Sequence, residues 1–497
     1  MTKILFLSSN GTGLGHLTRS MAIARRLDPA IEPLFFTLSG AAPVVAQQGF
    51  EVEFAASYST PTAGSDWRWS RRLRGRLRAA MRDADPSVLV FDGAHPYQAL
   101  LDAMPSVPDA HRVWCRRPMW KPGSNFGALE RTRFFDQVLE PGEYAASEDR
   151  GATVALQASA HRVDPVVFCE DSELSERSDA ERELGIEPGG VNVLVQLGQG
   201  DEVRDASRRC LEHLAGRDSV RVAALRSHLA AMGDAPEGVV ELGSTYPMSR
   251  YLRAFDATVS AAGYNAYHEL IRFGVPSLFV PMRRQTDDQH ARARYAEARG
   301  VGRGVDGPGD PALESKLDDL LDPGSREAMK TALAGQRPEN GAAPAAEWLG
   351  ELAATKRVRK PGTKRWKRYA AQPVASARAA APFAARFPGA VGRIAHQTVT
   401  RPKARLLIDA QGLDPADVDR LLPKAIKAAG TEPERILVVV DRVESLPTLR
   451  KQGVGGEHVT APGRLDLILA DRPPIRRIVR LGAADTSDTL QDLNQHL

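Results

Sequence analysis

The stretch from 257 to 290 constrains this chain more than any other. An apolar run, Ala257 to Ser260, ends in Gly263, and a helix-like segment from Tyr264 to Phe273 follows. Gly274 and a second strand, Pro276–Val280, come next. Strand, glycine turn, helix and strand make a βαβ unit, and the turn leaves a helix N-terminus whose free N–H groups and dipole attract phosphate. Glu269 lies about one and a half turns down that helix at about 1.5 Å per residue, within reach of a sugar attached to the phosphate. Asp287, Asp288 and Gln289 follow the second strand, at the carboxyl edge where open α/β sheets take ligands. Phosphate turn, ribose acid, then carboxylate and amide for hydroxyls is an order that suits a nucleotide sugar.

The amino-terminal end has a related layout. Lys3–Ser8 reads as a buried strand, 10–16 (NGTGLGH) as a glycine loop, and Leu17–Leu27 as a helix with Met21, Ala24 and Leu27 at helical spacing. A dinucleotide site fits this poorly: the third glycine of its fingerprint falls on His16, and no acid ends the second strand, Leu34–Leu38. Val52–Ala55 and Ser87–Phe91 are further strands, the latter ending in Asp92. In a sheet of order 3-2-1-4-5, strands one and four are neighbours, which predicts Asp92 beside His16 and an acid–histidine pair able to work as general base. Arg112–Arg117 is a fifth strand, and the loop after it carries Trp120; Arg116 and Trp120 are read as facing an acceptor. A second glycine-rich turn, with Gly198 and Gly200, follows the strand Val191–Leu197, as expected of two joined Rossmann-like halves. Tyr246 and Met248 open a short helix.

Here the chain resembles known families. Gly263-Tyr264-Asn265-Ala266-Tyr267-His268-Glu269 is similar to the Gly-aromatic-Asn-Ser-x-x-Glu core of UDP-glycosyltransferases, and the surrounding segment to the donor half of the peptidoglycan N-acetylglucosaminyltransferases. The resemblance implies a GT-B fold: two Rossmann-like doubly wound domains, here 1–165 for the acceptor and 166–352 for the donor. It implies that Gly263, Asn265 and nearby amides hold the diphosphate, Glu269 the ribose, Asp288 and Gln289 the sugar hydroxyls, with Tyr246 and Met248 against the base. The glycine loop resembles the opening of GT-B acceptor domains, so Gly13, Gly15 and Arg19 would face the acceptor and His16 would be the base. Ala261, Ala266 and Arg19 depart from the pattern, which has His, Ser and Pro there. The implied activity is inverting, metal-independent hexosyl transfer without a cofactor, the co-substrate being a nucleotide sugar, with UDP-N-acetylglucosamine the first candidate. The acceptor would be a glycan, a lipid-linked sugar or a small molecule. A nucleotide-sugar hydrolase, or a non-catalytic nucleotide-sugar or glycan-binding scaffold, is the alternative.

Composition agrees with a large soluble core, at 42% hydrophobic and 26% charged. Three scattered cysteines predict a reducing compartment and no disulfide frame, and the absence of a long apolar run predicts a cytoplasmic chain. The net charge of +4 is uneven: Leu352 to Ile408 contains no Asp or Glu and a dense run of Lys and Arg. This basic linker, 353–402, reads equally as a solvated flexible tether or as a segment that seeks an acidic membrane surface on the inner face, with nucleic acid the less favoured partner. The segment Asp66–Arg82 carries seven arginines with Trp67 and Trp69, and reads equally as a solvated amphipathic helix or a membrane-surface face. A small α/β unit, 403–484, closes the chain and carries no chemical motif.

Overall fold

A computed structural model of the protein describes residues 1–9, 14–58, 66–198, 201–225, 236–243, 245–336, 339–357, 406–458, 477–481 and 490–492. Gly13, Gly200 and the basic linker from 358 onward lie outside the described residues. Three parallel-type sheets organise the rest.

The first sheet contains β1 (Thr2–Ser8), β2 (Ile31–Thr37), β3 (Glu51–Phe54), β4 (Val88–Asp92), β5 (His111–Cys115), β6 (Gln137–Pro141) and β7 (His161–Val163). Their order is 3-2-1-4-5-6-7 and every pair is parallel. Helices cover both faces of such a sheet, which is why Ile4, Leu5, Phe6 and Leu7 are an unbroken apolar run, all buried. The chain leaves β1 toward β2 and returns to β4 on its other side. Ser8 pairs with Thr37 and with Asp92, so the crevice opens at the carboxyl ends of these three strands.

The second sheet contains β8 (Val191–Gln196), β9 (Val220–Leu225), β10 (Val239–Leu242), β11 (Ala257–Ala261), β12 (Ser277–Val280) and β13 (Arg303–Gly304), in the order 10-9-8-11-12-13. Its switch point falls between β8 and β11. The helix Tyr264–Arg272 begins there, with Tyr264, Tyr267, His268, Leu270 and Ile271 turned into the core.

The helix Ala342–Ala353 returns to the first domain, burying Ala342, Ala345, Ala346 and Leu349 in the core beneath the first sheet. The entry to that helix needs a glycine, since a Cβ on Gly341 would stand 1.9 Å from Asp164 O. Trp348 stacks on His161 with ring centroids 4.2 Å apart. Arg357, at the start of the predicted linker, is tied to the first domain by Asp136 and by Pro108 O at 2.8 Å.

The third sheet contains β14 (Leu406–Asp409), β15 (Ile436–Val440), β16 (Gly455–His458), β17 (Arg477–Leu481) and β18 (Leu490–Asp492), in the order 16-15-14-17-18. The pair β17–β18 is antiparallel, and β18 carries this unit past the boundary at 484 expected from sequence. The unit docks on the β3 edge of the first domain. His458 Nδ1 accepts from Phe54 N at 3.2 Å, and Arg76 donates to His458 O, to Phe54 O and to Glu53. Burial, with Arg76 nearby, pushes the His458 imidazole down to about 4, so the neutral ring can accept that bond. The arginine-rich segment is the helix Asp66–Ala84; it packs Leu73, Leu77 and Met81 inward, and Arg76 serves this docking rather than solvent.

Candidate active site

A cleft of about 680 Å³ lies between the two Rossmann-like domains, where the carboxyl ends of their sheets face each other. From the first domain it is lined by 14–16, Thr18, Arg19, Ala94 and Arg117. From the second it is lined by Gln196, Gly198, 245–249, 263–266, Glu269 and 283–287.

On the first wall, His16 is the second residue of the helix Gly15–Ala24 and Asp92 the last of β4. His16 Nδ1 stands 2.7 Å from Asp92 Oδ1, the pairing predicted from strand order. Arg19, one turn along the helix, donates from Nε to Asp92 Oδ2 at 2.9 Å and from Nη2 to Oδ1 at 2.6 Å. Asp92 and Arg19 are each 1% exposed, while the His16 side chain keeps 20% and reaches the cleft. Burial alone would raise the Asp92 carboxyl, but the Arg19 guanidinium and the bond with His16 hold it below the usual carboxylate range. Arg19 lines the acceptor wall, yet its forked donors are taken by Asp92, and its planar face lies 5.0 Å from the Tyr264 ring centre. Its place is behind His16, as the group that keeps Asp92 ionised.

On the second wall, Gly263 caps the helix Tyr264–Arg272 in an extended conformation, and residues 263–266, whose amides the helix leaves without a partner, line the cleft. Asn265 Nδ2 donates to Gly15 O at 3.2 Å across the domains, while its Oδ1 is buried without a hydrogen-bond partner. Tyr246 Oη lies 3.1 Å from Thr18 Oγ1, a second cross-domain bond. Glu269 lines the floor with hydrogen bonds from Phe168 N and Ser249, and burial nevertheless pushes its carboxyl up to about 7. A buried acid this easily protonated is unused by the protein's own cations, and is available to hydroxyls.

Four residues expected at the cleft do not line it. Arg116 is 1% exposed and donates to Glu140 Oε2 at 3.3 Å. Trp120 is fully buried, in the core between the first sheet and the 126–135 segment. The loop after β5 turns inward because Met119 N donates to Asp149 Oδ2 at 2.9 Å and Gly151 packs on Trp120 O. Alternation along the chain puts Arg117, not Arg116, at the cleft. Asp288 is the N-cap of the helix Gln289–Arg299, accepting from Ala291 N at 3.1 Å. Gln289 accepts from Met282 N at 2.9 Å and donates to Asp287 Oδ2 at 3.2 Å. The carboxylate that reaches the cleft is therefore Asp287.

Asp287 belongs to an ionic cluster not foreseen from the sequence. Arg117 and Arg292 both bind Asp287, and Arg292 Nε donates to Glu143 Oε2 at 2.8 Å. His268 Nε2 lies 3.0 Å from Glu143 Oε1. Burial would raise both acids, but the arginines, with the bond from His268 to Glu143, hold the Glu143 carboxyl at about 2 and that of Asp287 well below the usual range. The cluster draws on both domains and ties the closed cleft. Its members sit at no recurring spacing, so only tertiary structure brings them together.

Among the described residues, no group of three His, Cys, Asp or Glu is placed to hold a metal ion, and no helix is long and apolar enough to cross a membrane.

Comparison with known proteins matches part of this cleft's second wall. Residues 239–344 match the family model described as glycosyltransferase family 28 C-terminal domain, a span running from β10 through the Gly263 turn to the return helix. No curated protein sequence matches the chain. Among solved structures, the spinosyn forosaminyltransferase SpnP is similar at TM-score 0.51 and 15% identity, covering 71% of this chain and 100% of that one. Phytolacca americana UGT2, solved with UDP-2-fluoro-glucose and pterostilbene, is similar at TM-score 0.50 and 12% identity, over 71% and 100%. The chain has a GT-B fold that carries a glycosyltransferase family 28 C-terminal domain at residues 239–344 and is extended by a third, small α/β unit.

Proposed function

We propose that the protein transfers a hexose from a nucleoside-diphosphate sugar to an acceptor hydroxyl with inversion. The observation that carries this reading is the sharing of one cleft by His16, backed by Asp92 and Arg19, and by Glu269 under the Gly263 turn. With its Nδ1 proton donated to Asp92, His16 has Nε2 left to take the acceptor's proton as the oxygen attacks the anomeric carbon. Asp92, kept ionised by Arg19, stabilises the imidazolium that forms and fixes the ring. The free amides of the Gly263 turn receive the departing diphosphate, so charge develops where donors are already in place. Glu269 takes the ribose hydroxyls. UDP-N-acetylglucosamine is the first donor to try, and a glycan or lipid-linked sugar the first acceptor, from the resemblance of the donor half.

The test is a panel of nucleotide sugars offered with and without candidate acceptors. Nucleotide release that depends on acceptor, with the sugar recovered on it, is the expected result. Rapid release of free sugar without acceptor would make the protein a hydrolase and overturn the transfer reading.

A further inference from the structure

We propose that Arg284, supported by Arg283, binds the diphosphate of the donor and supplies the charge neutralisation that the helix N-terminus provides only in part. The inference rests on the nucleotide-sugar reading above and concerns residues that reading leaves without a role. They sit on the loop between β12 and the helix Gln289–Arg299, which is pinned at both ends. Met282 N donates to Gln289 Oε1 at 2.9 Å, Thr286 O accepts from Lys121 N at 2.6 Å, and Asp288 N donates to Met119 O at 3.0 Å. Between those anchors, residues 283–286 line the cleft on the same domain's wall as the Gly263 turn. Arg284 faces the cleft, while Arg283 also borders an adjoining cavity with His290 and Asp306, so Arg284 is the principal residue.

Charge balance singles the pair out. The other strongly charged groups at the cleft are matched: Arg19 by Asp92, and Arg117 by Asp287. Glu269, pushed up to about 7, carries only part of a negative charge at neutral pH. Arg283 and Arg284 have no hydrogen-bond or ion-pair partner among the described residues. Two unneutralised guanidinium groups therefore line the same cleft wall as a helix N-terminus. Such a wall favours anions, and a diphosphate ester carries about two negative charges at neutral pH. That wall also has Ala261 and Ala266 where the resembled signature has a His and a Ser, so it offers fewer side-chain donors to phosphate. A guanidinium presents a fixed fork of donors that matches phosphate oxygens two at a time.

The experiment is calorimetric titration of the full chain with UDP, GDP and ADP, each paired with its nucleoside, in wild type, Arg284→Ala and Arg283→Ala/Arg284→Ala. For the diphosphate that binds wild type best, Arg284→Ala should weaken binding at least about tenfold. The double variant should weaken it further, and the salt dependence should become shallower. Affinity for the matching nucleoside, which lacks phosphate, should stay unchanged; this control also reports that the pocket is folded. Unchanged diphosphate affinity, or an equal loss for diphosphate and nucleoside, overturns the proposal. Unchanged diphosphate affinity with weaker binding of the complete nucleotide sugar also overturns it, since the arginines would then act on the sugar. If wild type binds none of the diphosphates, the nucleotide-sugar reading itself falls.

Discussion

Glu269 is where the protein pays for a binding site with stability. Its carboxyl is pushed from 4.5 to about 7 by burial at the cleft floor, without a cation to compensate. The folded chain therefore holds a proton there that the unfolded chain has lost, between about pH 4.5 and 7. Stability from this group is present below the lower value and is lost as pH rises through the higher one. Glu269→Gln removes the ionisation, so thermal denaturation should show the variant near wild type at pH 5 and more stable at pH 8. The expected gain at high pH is on the order of 1–3 kcal/mol. A wild-type–variant difference that does not vary with pH would mean the carboxyl is not held in this way. Asp92 is the contrasting acid, more deeply buried yet ionised because Arg19 forks onto both its oxygens. The position of Glu269 could be read from the sequence, since a helix fixes what lies one and a half turns from its start. The role of Arg19 could not, because spacing puts it on the face of His16 but does not say which oxygens its fork meets.

At the scale of elements, the strand–turn–helix units carry the site and the loops decide its details. The strands lining both switch points were legible, because buried parallel strands are continuous apolar runs bounded by glycine. The strands β7, β13 and β18 escaped that reading: at three, two and three residues they are too short to show any pattern. The loop ends misled for a different reason. Asp288 looks like a ligand for sugar hydroxyls in sequence, but its carboxylate is already used by the first turn of the following helix. Asp288→Ala should thus cost about 1 kcal/mol of stability, the value of a helix cap, and leave nucleotide affinity as in wild type. A large loss of nucleotide-sugar affinity in a variant of normal stability would restore Asp288 to the cleft. Arg116 and Trp120 fail likewise, since one residue of register separates a buried arginine from Arg117 at the cleft.

At the scale of the whole molecule, the two domains divide the chemistry and meet through bonds between side chains and backbone. Asn265 to Gly15, Tyr246 to Thr18, and the Arg117–Asp287–Arg292–Glu143 cluster all cross the cleft. The pairing of two Rossmann-like halves was legible from two glycine turns and one donor motif. The ionic cluster was not, because its residues are far apart in sequence and become neighbours only when the cleft closes. The third unit stands apart from this division, docked on the β3 edge through Arg76 and His458, away from the switch point between β1 and β4. In the proposed reaction His16 acts on the acceptor from one domain while Glu269 holds the nucleotide from the other. Titrating His16→Ala and Glu269→Ala with the best-bound nucleoside diphosphate, and following transfer in parallel, tests it most directly. His16→Ala should bind the nucleotide as wild type does but turn over about 10²–10⁴-fold more slowly. Glu269→Ala should bind the nucleotide roughly 1–3 kcal/mol more weakly. Loss of nucleotide binding in His16→Ala, or full nucleotide affinity in a folded Glu269→Ala, would contradict this division.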